Sequence, residues 1–527
     1  MNMGNIRRQV DKLFLEWDRK DSPGCALGVV SKGTFVYKRC YGMASLEHGA
    51  PITPDSVFDV GSTSKQFTAA CIALLAMRRK LSLDDRIQKY LPEIPRYESP
   101  ITIRHLIHHT SGLRDYLTLM YLRGMRFENE YSDKEIFGTI ARQKKLNFLP
   151  GSEHLYCNTG YLLLGEIVKR VSGKTLRCYA QEQIFSPLGM KNTHFHDDLA
   201  EIVKGRAAGH NKGKAGHKLA TSLFDVVGDG ALHTTLNDLA IWDGNFYDNR
   251  VGGFGRKLIE QITALGRLND GKALNYASGL FVEEYRGLKS IHHGGSWIGY
   301  KAEMVRFPGQ ELSVICLANT EAIDAISMAR KVADLYLADK FTVPRPRLPL
   351  ASSSKRRPII GKPGYYEHGK DGDLALFSGK GGYSLELGGI IHKLDRITSA
   401  KLQAKSGAVE VDFSGPGEFT LTRRNGQKSI YSRIPRMKKG RTPGAKLAGD
   451  YYCPELNTTY KVNSRGTRLE TVIADPGEDL LDLEPVKPGL FKAGRYLTVQ
   501  FNKSCRSFSL GAGRVKDLMF VKKGRGR

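Results

Sequence analysis

A change in residue pattern near position 342 divides this chain into two regions of different fold class. Before it, runs with helical periodicity alternate with short strand-like runs. Residues 342–363 are rich in proline, serine and basic residues, which is typical of a linker. After it, short alternating runs are separated by glycine turns, which predicts an all-β region. The sequence therefore predicts a mixed α and β region over residues 1–341, followed by a linker over residues 342–363.

The β-rich region begins twice with a similar sequence. GYY at residues 364–366 opens one copy, and GDYY at residues 449–452 opens another about 85 residues later. A basic, proline-containing stretch near residues 438–443 separates the copies. The sequence therefore predicts two β-barrel-like modules, residues 364–440 and residues 441–527.

Strand-like runs lie at both ends of the first region. Residues 26–30 and 34–37 predict a β-hairpin, and residues 303–307 and 312–318 predict a second antiparallel pair across a Pro-Gly turn. Apolar spacing and capping residues predict helices that begin near Ile6, Ser62, Leu81, Thr102, Tyr161, Arg256 and Asp324. We therefore expect one sheet built from distant segments, with helices between them.

The charge of the chain is strongly basic and uneven. There are 80 Lys and Arg residues against 54 Asp and Glu residues, a formal net charge of +26, and most of the excess follows residue 345. Nucleic-acid surfaces combine clustered basic residues with aromatic side chains that stack on bases. Here the basic residues are scattered over predicted strands and turns, with few aromatic residues between them. We therefore expect a solvated basic surface and no nucleic-acid partner.

Cysteine usage and hydropathy predict a cytoplasmic protein without a membrane partner. The eight cysteines form no C-x-x-C pair, and several, such as Cys71 and Cys316, lie in apolar runs. Buried free thiols in a reducing compartment explain this pattern better than a disulfide framework. The first residues lack the apolar core of a signal peptide, and no run reaches the roughly 18 apolar residues that span a bilayer.

Three histidines near position 105 raise the question of a metal site. His105 and His109 are one helical turn apart, but no acidic third ligand lies close to them in the sequence. Structural polar contacts explain these side chains better than zinc ligands, which need a fixed set of partners. We therefore expect neither a metal ion nor another cofactor.

Ser62 and Lys65 lie three residues apart at the start of an apolar run that predicts a buried helix. A serine hydroxyl is a weak nucleophile until a neighbouring group takes its proton, and a desolvated lysine one turn away can assist. The helix dipole favours negative charge beside Ser62. The alternative is a helix-capping serine with a solvent-facing lysine, and S-x-x-K alone does not decide between the two.

Two residues of a second motif can face the same way. Tyr156 and Asn158 lie two apart in a predicted loop or extended segment, just before an apolar helix. By itself this pattern is equally consistent with a packed tyrosine and a helix-capping asparagine.

Taken in order, S-x-x-K at residues 62–65, Y-x-N at 156–158 and H-x-G at 293–295 resemble the motifs of the penicillin-recognising serine hydrolases. The resemblance covers about residues 5–340, and it is to the branch related to class C β-lactamases, which includes esterases, DD-peptidases and D-aminopeptidases. It implies an α/β (α+β) β-lactamase/transpeptidase-like domain, in which an antiparallel sheet is flanked by helices and a helical subdomain. Two β-barrel-like domains would follow this domain.

Two adjacent histidines fit the start of the third motif. The family pattern places a glycine and an aromatic residue six and seven positions after the first motif residue, and from His293 these are Gly299 and Tyr300. The resemblance therefore selects His293 over His292. Class C β-lactamases have a lysine at this place. Because a neutral imidazole binds a substrate carboxylate less firmly than an ammonium, the histidine argues against β-lactamase activity.

The resemblance implies a catalytic role for Ser62, Lys65 and Tyr156. Ser62 Oγ would attack an acyl carbonyl, and Tyr156 would act as general base and later protonate the leaving group. Lys65 would keep the proton affinity of the tyrosine low or relay the proton. Cys157, the middle residue of the second motif, has no evident partner that would make it the nucleophile.

The same resemblance assigns substrate binding to Asn158, His293, Gly295 and Ser296. Asn158 would orient the substrate amide or the lysine. The backbone N–H groups of Ser62 and Ser296 would form the oxyanion hole.

The complete architecture resembles that of bacterial D-aminopeptidases. It implies a serine hydrolase that forms an acyl-enzyme and releases N-terminal D-amino acids from short peptides, amides or esters. A carboxylesterase of the same family is one alternative. A non-catalytic protein that binds a partner through its basic C-terminal region is another. For the enzyme, the expected partner is a small molecule or short peptide, and a homodimer stays open.

Overall fold

The computed structural model describes residues 3–126, 129–214, 216–343, 359–369, 373–379, 382–387, 390–404, 409–423, 428–435, 444–465, 468–473, 480–494 and 497–524. Most of the predicted linker, residues 342–363, lies outside the described residues, and so does the predicted boundary near residue 440. The described residues form two compact units. The first takes its residues from 1–113, 127–135 and 148–344, and the second takes them from 114–126, 136–147 and 345–527.

A six-stranded antiparallel sheet lies at the centre of the first unit. The strands of this unit are β1 (Cys25–Ser31), β2 (Thr34–Tyr41), β3 (Met43–Ser45), β4 (Ala50–Pro51), β5 (Phe58–Asp59), β6 (His194–Phe195), β7 (His210–Gly213), β8 (Gly216–Leu219), β9 (Leu232–Thr234), β10 (Phe281–Tyr285), β11 (Leu288–Trp297), β12 (Tyr300–Phe307) and β13 (Leu312–Ala318). The order is β10-β11-β12-β13-β1-β2. Because β1 pairs with β13, the first hairpin joins the last strands, and the prediction of one sheet built from distant segments is confirmed.

Helices cover both faces of this sheet. The α-helices among the described residues are α1 (Met3–Phe14), α2 (Lys65–Met77), α3 (Ile103–Ile107), α4 (Tyr116–Leu122), α5 (Asp133–Ala141), α6 (Asn158–Ser172), α7 (Leu176–Ala180), α8 (Ser186–Leu188), α9 (Leu236–Gly244), α10 (Arg256–Thr263), α11 (Ala325–Tyr336) and α12 (Gly444–Leu447). Helices α1 and α11 share one hydrophobic core with Leu27 and Val29 of β1. Between them Gly28 faces the other side, where a Cβ would lie 2.9 Å from Leu236 Cδ1 of α9. None of the helices within the described ranges combines the length and apolar content needed to cross a bilayer.

Helix α2 is buried on all sides. Every residue from Lys65 to Leu75 is buried, and the helix packs against α6 and α10. An apolar helix without a polar face belongs in the core of a domain, so the predicted buried helix after Ser62 is confirmed. The amphipathic first helix is confirmed as well, because α1 buries Ile6, Val10 and Phe14 and exposes its other face.

The predicted short helix between Leu81 and Leu91 is wrong. Residues Ile87–Lys89 form a single 3-10 turn there. The backbone is instead held by tertiary hydrogen bonds: Ile87 N donates to Ile101 O at 2.9 Å, and Arg86 forms a bridge with Thr102. These contacts override a weak local preference.

The second unit contains two closed eight-stranded antiparallel barrels. The first barrel is formed by β14 (Gly364–His368), β15 (Asp373–Ser378), β16 (Tyr383–Leu387), β17 (Ile390–Arg396), β18 (Lys401–Ala404), β19 (Val409–Gly415), β20 (Glu418–Arg423) and β21 (Lys428–Arg433). The second is formed by β22 (Gly449–Cys453), β23 (Thr458–Arg465), β24 (Arg468–Ile473), β25 (Leu480–Lys487), β26 (Leu490–Ala493), β27 (Leu497–Phe501), β28 (Ser507–Ala512) and β29 (Val515–Lys522). Closure pairs the edge strands, and the prediction of two β-barrel-like domains is confirmed.

The two sequence copies in the barrels correspond residue by residue at their openings. Tyr366 of β14 is fully buried in the first barrel, and its hydroxyl donates to Lys362 O at 2.6 Å. Tyr451 of β22 is fully buried in the second barrel and donates to Leu447 O at 2.9 Å. In both copies the tyrosine therefore fastens the entering chain, four residues back, to the barrel core.

Two segments of the predicted first domain, residues 114–126 and 136–147, belong to the second unit instead. Leu119 and Leu122 of α4 pack into the hydrophobic core of the second barrel. Arg114 is fully buried and pairs with Glu455 at 2.8 Å. Both segments lie within the predicted first domain, residues 1–341, because contacts between residues more than 300 positions apart leave no local signal.

Candidate active site

Ser62 lies in a tight turn between the short strand β5 and helix α2. Gly61 to Ser64 form a 3-10 turn, and Asp59 Oδ1 accepts the Gly61 N–H at 2.8 Å. Gly61 has φ +47°, and a Cβ there would lie 2.7 Å from Ser296 N. Glycine therefore allows both the left-handed turn and the close approach of β11 to Ser62.

Lys65 is buried directly beside Ser62. Its side chain is 0% exposed, and Nζ donates to Ser62 Oγ at 2.9 Å and to Asp229 O at 2.5 Å. The same nitrogen lies 5.0 Å from the ring centre of Tyr156. The alternative of a solvent-facing lysine is wrong, and the lysine connects the first two motifs.

Tyr156 and Asn158 lie at the entrance to helix α6. Tyr156 packs against His109 with ring centres 4.3 Å apart and lies 6.0 Å from His293. Asn158 is the first residue of α6 and is buried. The structure thus places Tyr156 between Lys65 of the first motif and His293 of the third.

His293 and His292 have opposite environments on β11. Burial, with a smaller contribution from the Lys65 charge, lowers the pKa of His293 to about 3, so its imidazole is neutral at pH 7. Its Nδ1 donates to Gly294 O at 2.6 Å, and its Nε2 accepts from Tyr276 Oη at 3.1 Å. His292 instead lies between Glu283 and Glu303, at 2.9 and 3.0 Å. Burial opposes the charge on His292, but the two carboxylates outweigh it and raise its pKa.

Gly295 brings β11 into direct contact with the turn that carries Ser62. A Cβ at Gly295 would lie 1.8 Å from Val60 O, which no side chain can occupy. Thr63 Oγ1 also donates to His293 O at 3.1 Å across the same junction. Ser296 follows on the exposed side, and its Oγ accepts from Lys301 Nζ at 2.6 Å. The three motifs therefore meet around Ser62 within the first unit.

Residues 6–337 match the Beta-lactamase family. The chain belongs to this family. The sequence resemblance to penicillin-recognising serine hydrolases is thereby confirmed, and the β-lactamase/transpeptidase-like domain is the one that carries the site.

Three known proteins are similar to this chain well beyond the three motifs. A D-aminopeptidase from Gluconobacter oxydans (strain 621H) is 27% identical over 445 residues, which cover 83% of this chain and 81% of that protein. A D-aminopeptidase from Brucella anthropi is 30% identical over 316 residues, 60% of this chain and 59% of that protein. The octameric penicillin-binding protein homologue from Pyrococcus abyssi has a TM-score of 0.58 at 22% identity and covers 82% of this chain and 100% of its own.

A further side chain of this site, that of Tyr276, lies outside the three sequence motifs. Tyr276 is fully buried and contacts His293 through its hydroxyl. It precedes β10 in a segment without a motif, so no signal in a single sequence identifies it. Its ring centre lies 4.7 Å from that of His109 and 6.2 Å from that of Tyr156, so it connects the second and third motifs.

The histidines near position 105 have structural contacts, as predicted. Thr102 and His105 form a capping box, in which each side chain accepts a backbone N–H of the other residue. His109 Nδ1 accepts the backbone N–H of Cys157 at 3.1 Å. The Cys157 thiol donates to Leu113 O at 3.3 Å, which is a structural contact rather than that of a nucleophile.

His108 allows a test of stability against pH. Burial is the main cause that lowers its pKa from 6.5 to about 4. Because the unfolded chain then binds more protons below pH 6.5, the stabilisation is complete above pH 6.5 and is lost as the pH falls toward 4. When the pH is lowered from 7 to 5, we expect the free energy of unfolding of His108→Gln to fall by about 2 kcal/mol less than that of wild type.

This difference is measured as the change in unfolding free energy of the first unit in urea at the two pH values. His48→Gln, at an exposed position, is the matched control and should follow wild type. An equal loss in His108→Gln and wild type would contradict a neutral, buried His108.

Proposed function

We propose that this protein is a D-aminopeptidase that forms an acyl-enzyme on Ser62 and releases N-terminal D-amino acids from short peptides, amides or esters. The observation that carries the proposal is the buried Lys65 ammonium 2.9 Å from Ser62 Oγ, next to Tyr156. The similarity to a D-aminopeptidase over 83% of the chain supports the substrate class.

In the proposed reaction Tyr156 is the general base. Lys65 assists it, since its Nζ lies 2.9 Å from Ser62 Oγ and 2.5 Å from Asp229 O. The same nitrogen lies 5.0 Å from the centre of the Tyr156 ring, so it can stabilise negative charge as the proton moves between Ser62 and Tyr156. Tyr156 takes the Ser62 proton as Oγ attacks the carbonyl, and it then gives this proton to the leaving amine. Water attacks the ester in the second half, and its proton returns through Tyr156 to Ser62.

Substrate binding in this proposal uses Asn158 and the backbone of β11. The N–H groups of Ser62 and Ser296 stabilise the oxyanion, and the missing Cβ of Gly295 keeps the two close together. His293 is neutral and bonded to Tyr276, so it holds β11 and the substrate pocket without offering a charge to a carboxylate. This favours substrates whose scissile group carries no α-carboxylate, such as amides and esters.

The proposal is tested by comparing D-alanine p-nitroanilide and its L isomer with p-nitrophenyl acetate and butyrate, using Ser62→Ala as control. We expect turnover of the D anilide that is lost in Ser62→Ala. Ester turnover without anilide turnover would replace the proposal by a carboxylesterase. Failure of a fluorophosphonate probe to label wild type would favour the non-catalytic binding protein.

Tyr276→Phe should impair the site without unfolding it. It removes the hydroxyl that His293 Nε2 accepts from, which is worth about 1 kcal/mol and leaves that nitrogen buried without this partner. We expect kcat/KM to fall about tenfold, with most of the loss in kcat because the pocket is distorted rather than removed. Tyr451→Phe in the second barrel is the matched control, since its buried hydroxyl also donates to a backbone carbonyl, Leu447 O. Equal effects of both changes would remove the special role of Tyr276.

Location and assembly are further parts of the proposal. All eight cysteines are free thiols, which supports the reducing cytoplasm. Light scattering on the purified protein tests the homodimer that the sequence leaves open. The octamer named for the Pyrococcus abyssi relative is the other assembly that the measurement would detect.

A further inference from the structure

Three histidines cluster on a small sheet, and none of them belongs to the three motifs. Strand β9 lies between β5 and β6, and His233 of β9 pairs directly with His194 of β6. His196 continues this pairing, because its N–H donates to Ala231 O at 2.8 Å. Since side chains alternate along a strand, His194 and His196 project from the same face as His233.

The imidazoles of this histidine cluster present their nitrogens to one another. One nitrogen from each ring lies within 4.8 Å of the other two. His233 is 1% exposed, and neither of its ring nitrogens makes a hydrogen bond of normal geometry with a described residue. The same holds for Nε2 of the buried His196. A buried polar atom without a partner is costly, so these nitrogens point to a ligand.

The surroundings suit a metal-binding histidine. The Nδ1 of His196 lies 3.4 Å from Glu201 Oε2, which leaves its Nε2 directed at the cluster. Glu201 is in turn held by Arg177 at 2.5 Å. A histidine that donates one N–H to a carboxylate and offers the other nitrogen is the usual arrangement around bound metal ions.

We propose that His194, His196 and His233 bind one Zn²⁺ ion, with Glu201 orienting His196 and water completing the coordination. Zn–N bonds of about 2.0–2.1 Å put two ligand nitrogens about 3.4 Å apart, so the rings close in by roughly 1 Å through side-chain rotation. Imidazole is a preferred ligand of Zn²⁺, and three of them form a common protein site.

The ion stabilises the sheet that leads into the Ser62 turn. Strand β9 pairs with β5, and Val60 N donates to Leu232 O at 3.0 Å. Leu232 N in turn donates to Ser64 Oγ at 3.1 Å. Fixing His233 to the neighbouring strand therefore holds the backbone on which Ser62 stands. The role is structural, because no step of the proposed hydrolysis passes through the ion.

Calorimetric titration of Zn²⁺ into the untagged, full-length, chelator-treated chain tests the site. We expect one ion per chain and a higher melting temperature with Zn²⁺, because a ligand that binds the folded state stabilises it. His194→Gln and His196→Gln should each weaken binding at least about tenfold. His217→Gln, a partly buried histidine outside the cluster, is the matched control and should bind as wild type.

Co²⁺ replaces Zn²⁺ in a second measurement that needs no substitution. Tetrahedral imidazole ligation gives visible absorption bands, and thiolate ligation adds a strong near-ultraviolet band that the eight free cysteines could supply. The visible bands without the thiolate band support the proposal. The thiolate band, a lack of Zn²⁺ binding by wild type, or unchanged affinity in both His→Gln variants would overturn it. If wild type does not bind Zn²⁺ but still hydrolyses the D anilide, the metal proposal fails while the proposed function stands.

Discussion

Lys65→Met is expected to lower kcat/KM for D-alanine p-nitroanilide by about 10³-fold. Methionine has a similar length and fits a fully buried position, but it removes the cation that donates to Ser62 Oγ and faces the Tyr156 ring. Without this cation, the transfer of the Ser62 proton loses the electrostatic stabilisation that the buried lysine provides. Because an apolar side chain replaces a buried charge, we expect the melting temperature to be retained or raised. Steady-state kinetics and thermal unfolding of the same preparation measure both quantities.

Lys301→Met is the matched control for this prediction. Lys301 is also a cation near the site, but it bonds to Ser296 Oγ rather than to the nucleophile. We expect its kcat/KM to stay within about tenfold of wild type, since an exposed hydrogen bond that water can replace contributes little. If folded Lys65→Met kept a similar activity, the buried lysine would not be part of the catalytic machinery.

The arrangement of the main sheet could be predicted from the sequence, because its signals are local. Alternation and a glycine turn identify each hairpin, and the positions of strands at both ends of the region bring them together. Strand β11 was not predicted, although it carries His293. Its His-His-Gly-Gly-Ser run contains two glycines, which weaken the sequence signal of a strand. The second of them, Gly295, is required because a side chain there would overlap Val60 O.

The composition of the site could be predicted only as far as motifs extend. Ser62, Lys65, Tyr156 and His293 were found because each belongs to a spaced pattern, and their roles stay predictions. The hydrogen bond from Lys65 to Asp229 O and the contact between Tyr276 and His293 could not be predicted, because no sequence motif contains Asp229 or Tyr276.

The histidine cluster was missed although a local signal was present. His194 and His196 are two apart, which is the period of a strand, but two residues alone carry little weight. The third member, His233, comes from another strand, and only the pairing of β6 with β9 brings it opposite His194. Likewise, Arg114 gave no sign of the buried pair with Glu455 that places its segment in the second unit.

Gly295→Ala should reduce kcat by about 10² to 10³-fold, the effect of losing one oxyanion donor. The new methyl group would overlap Val60 O, at 1.8 Å, so β11 must move away from the turn that carries Ser62. Because Val60 O is backbone, no side-chain rotation can relieve the contact. The Ser296 N–H then leaves its place next to Ser62, and the negative oxygen of the tetrahedral intermediate loses this donor. Single-turnover kinetics with p-nitrophenyl acetate isolate the acylation step in which this loss occurs.

The neighbouring Gly294→Ala separates this effect from a general disturbance of the strand. Its methyl group would meet Glu303 Oε2 and Ile326 Cδ1, both at 2.8 Å, which are side-chain ends on the opposite face of β11. Ile326 is partly exposed and can move, so we expect acylation within about tenfold of wild type and some loss of stability, by about 1–3 kcal/mol. Equal loss of acylation in both variants would mean that β11 acts only as a scaffold. Selective loss in Gly295→Ala would show that its contact with the Ser62 turn sets the geometry of the reaction.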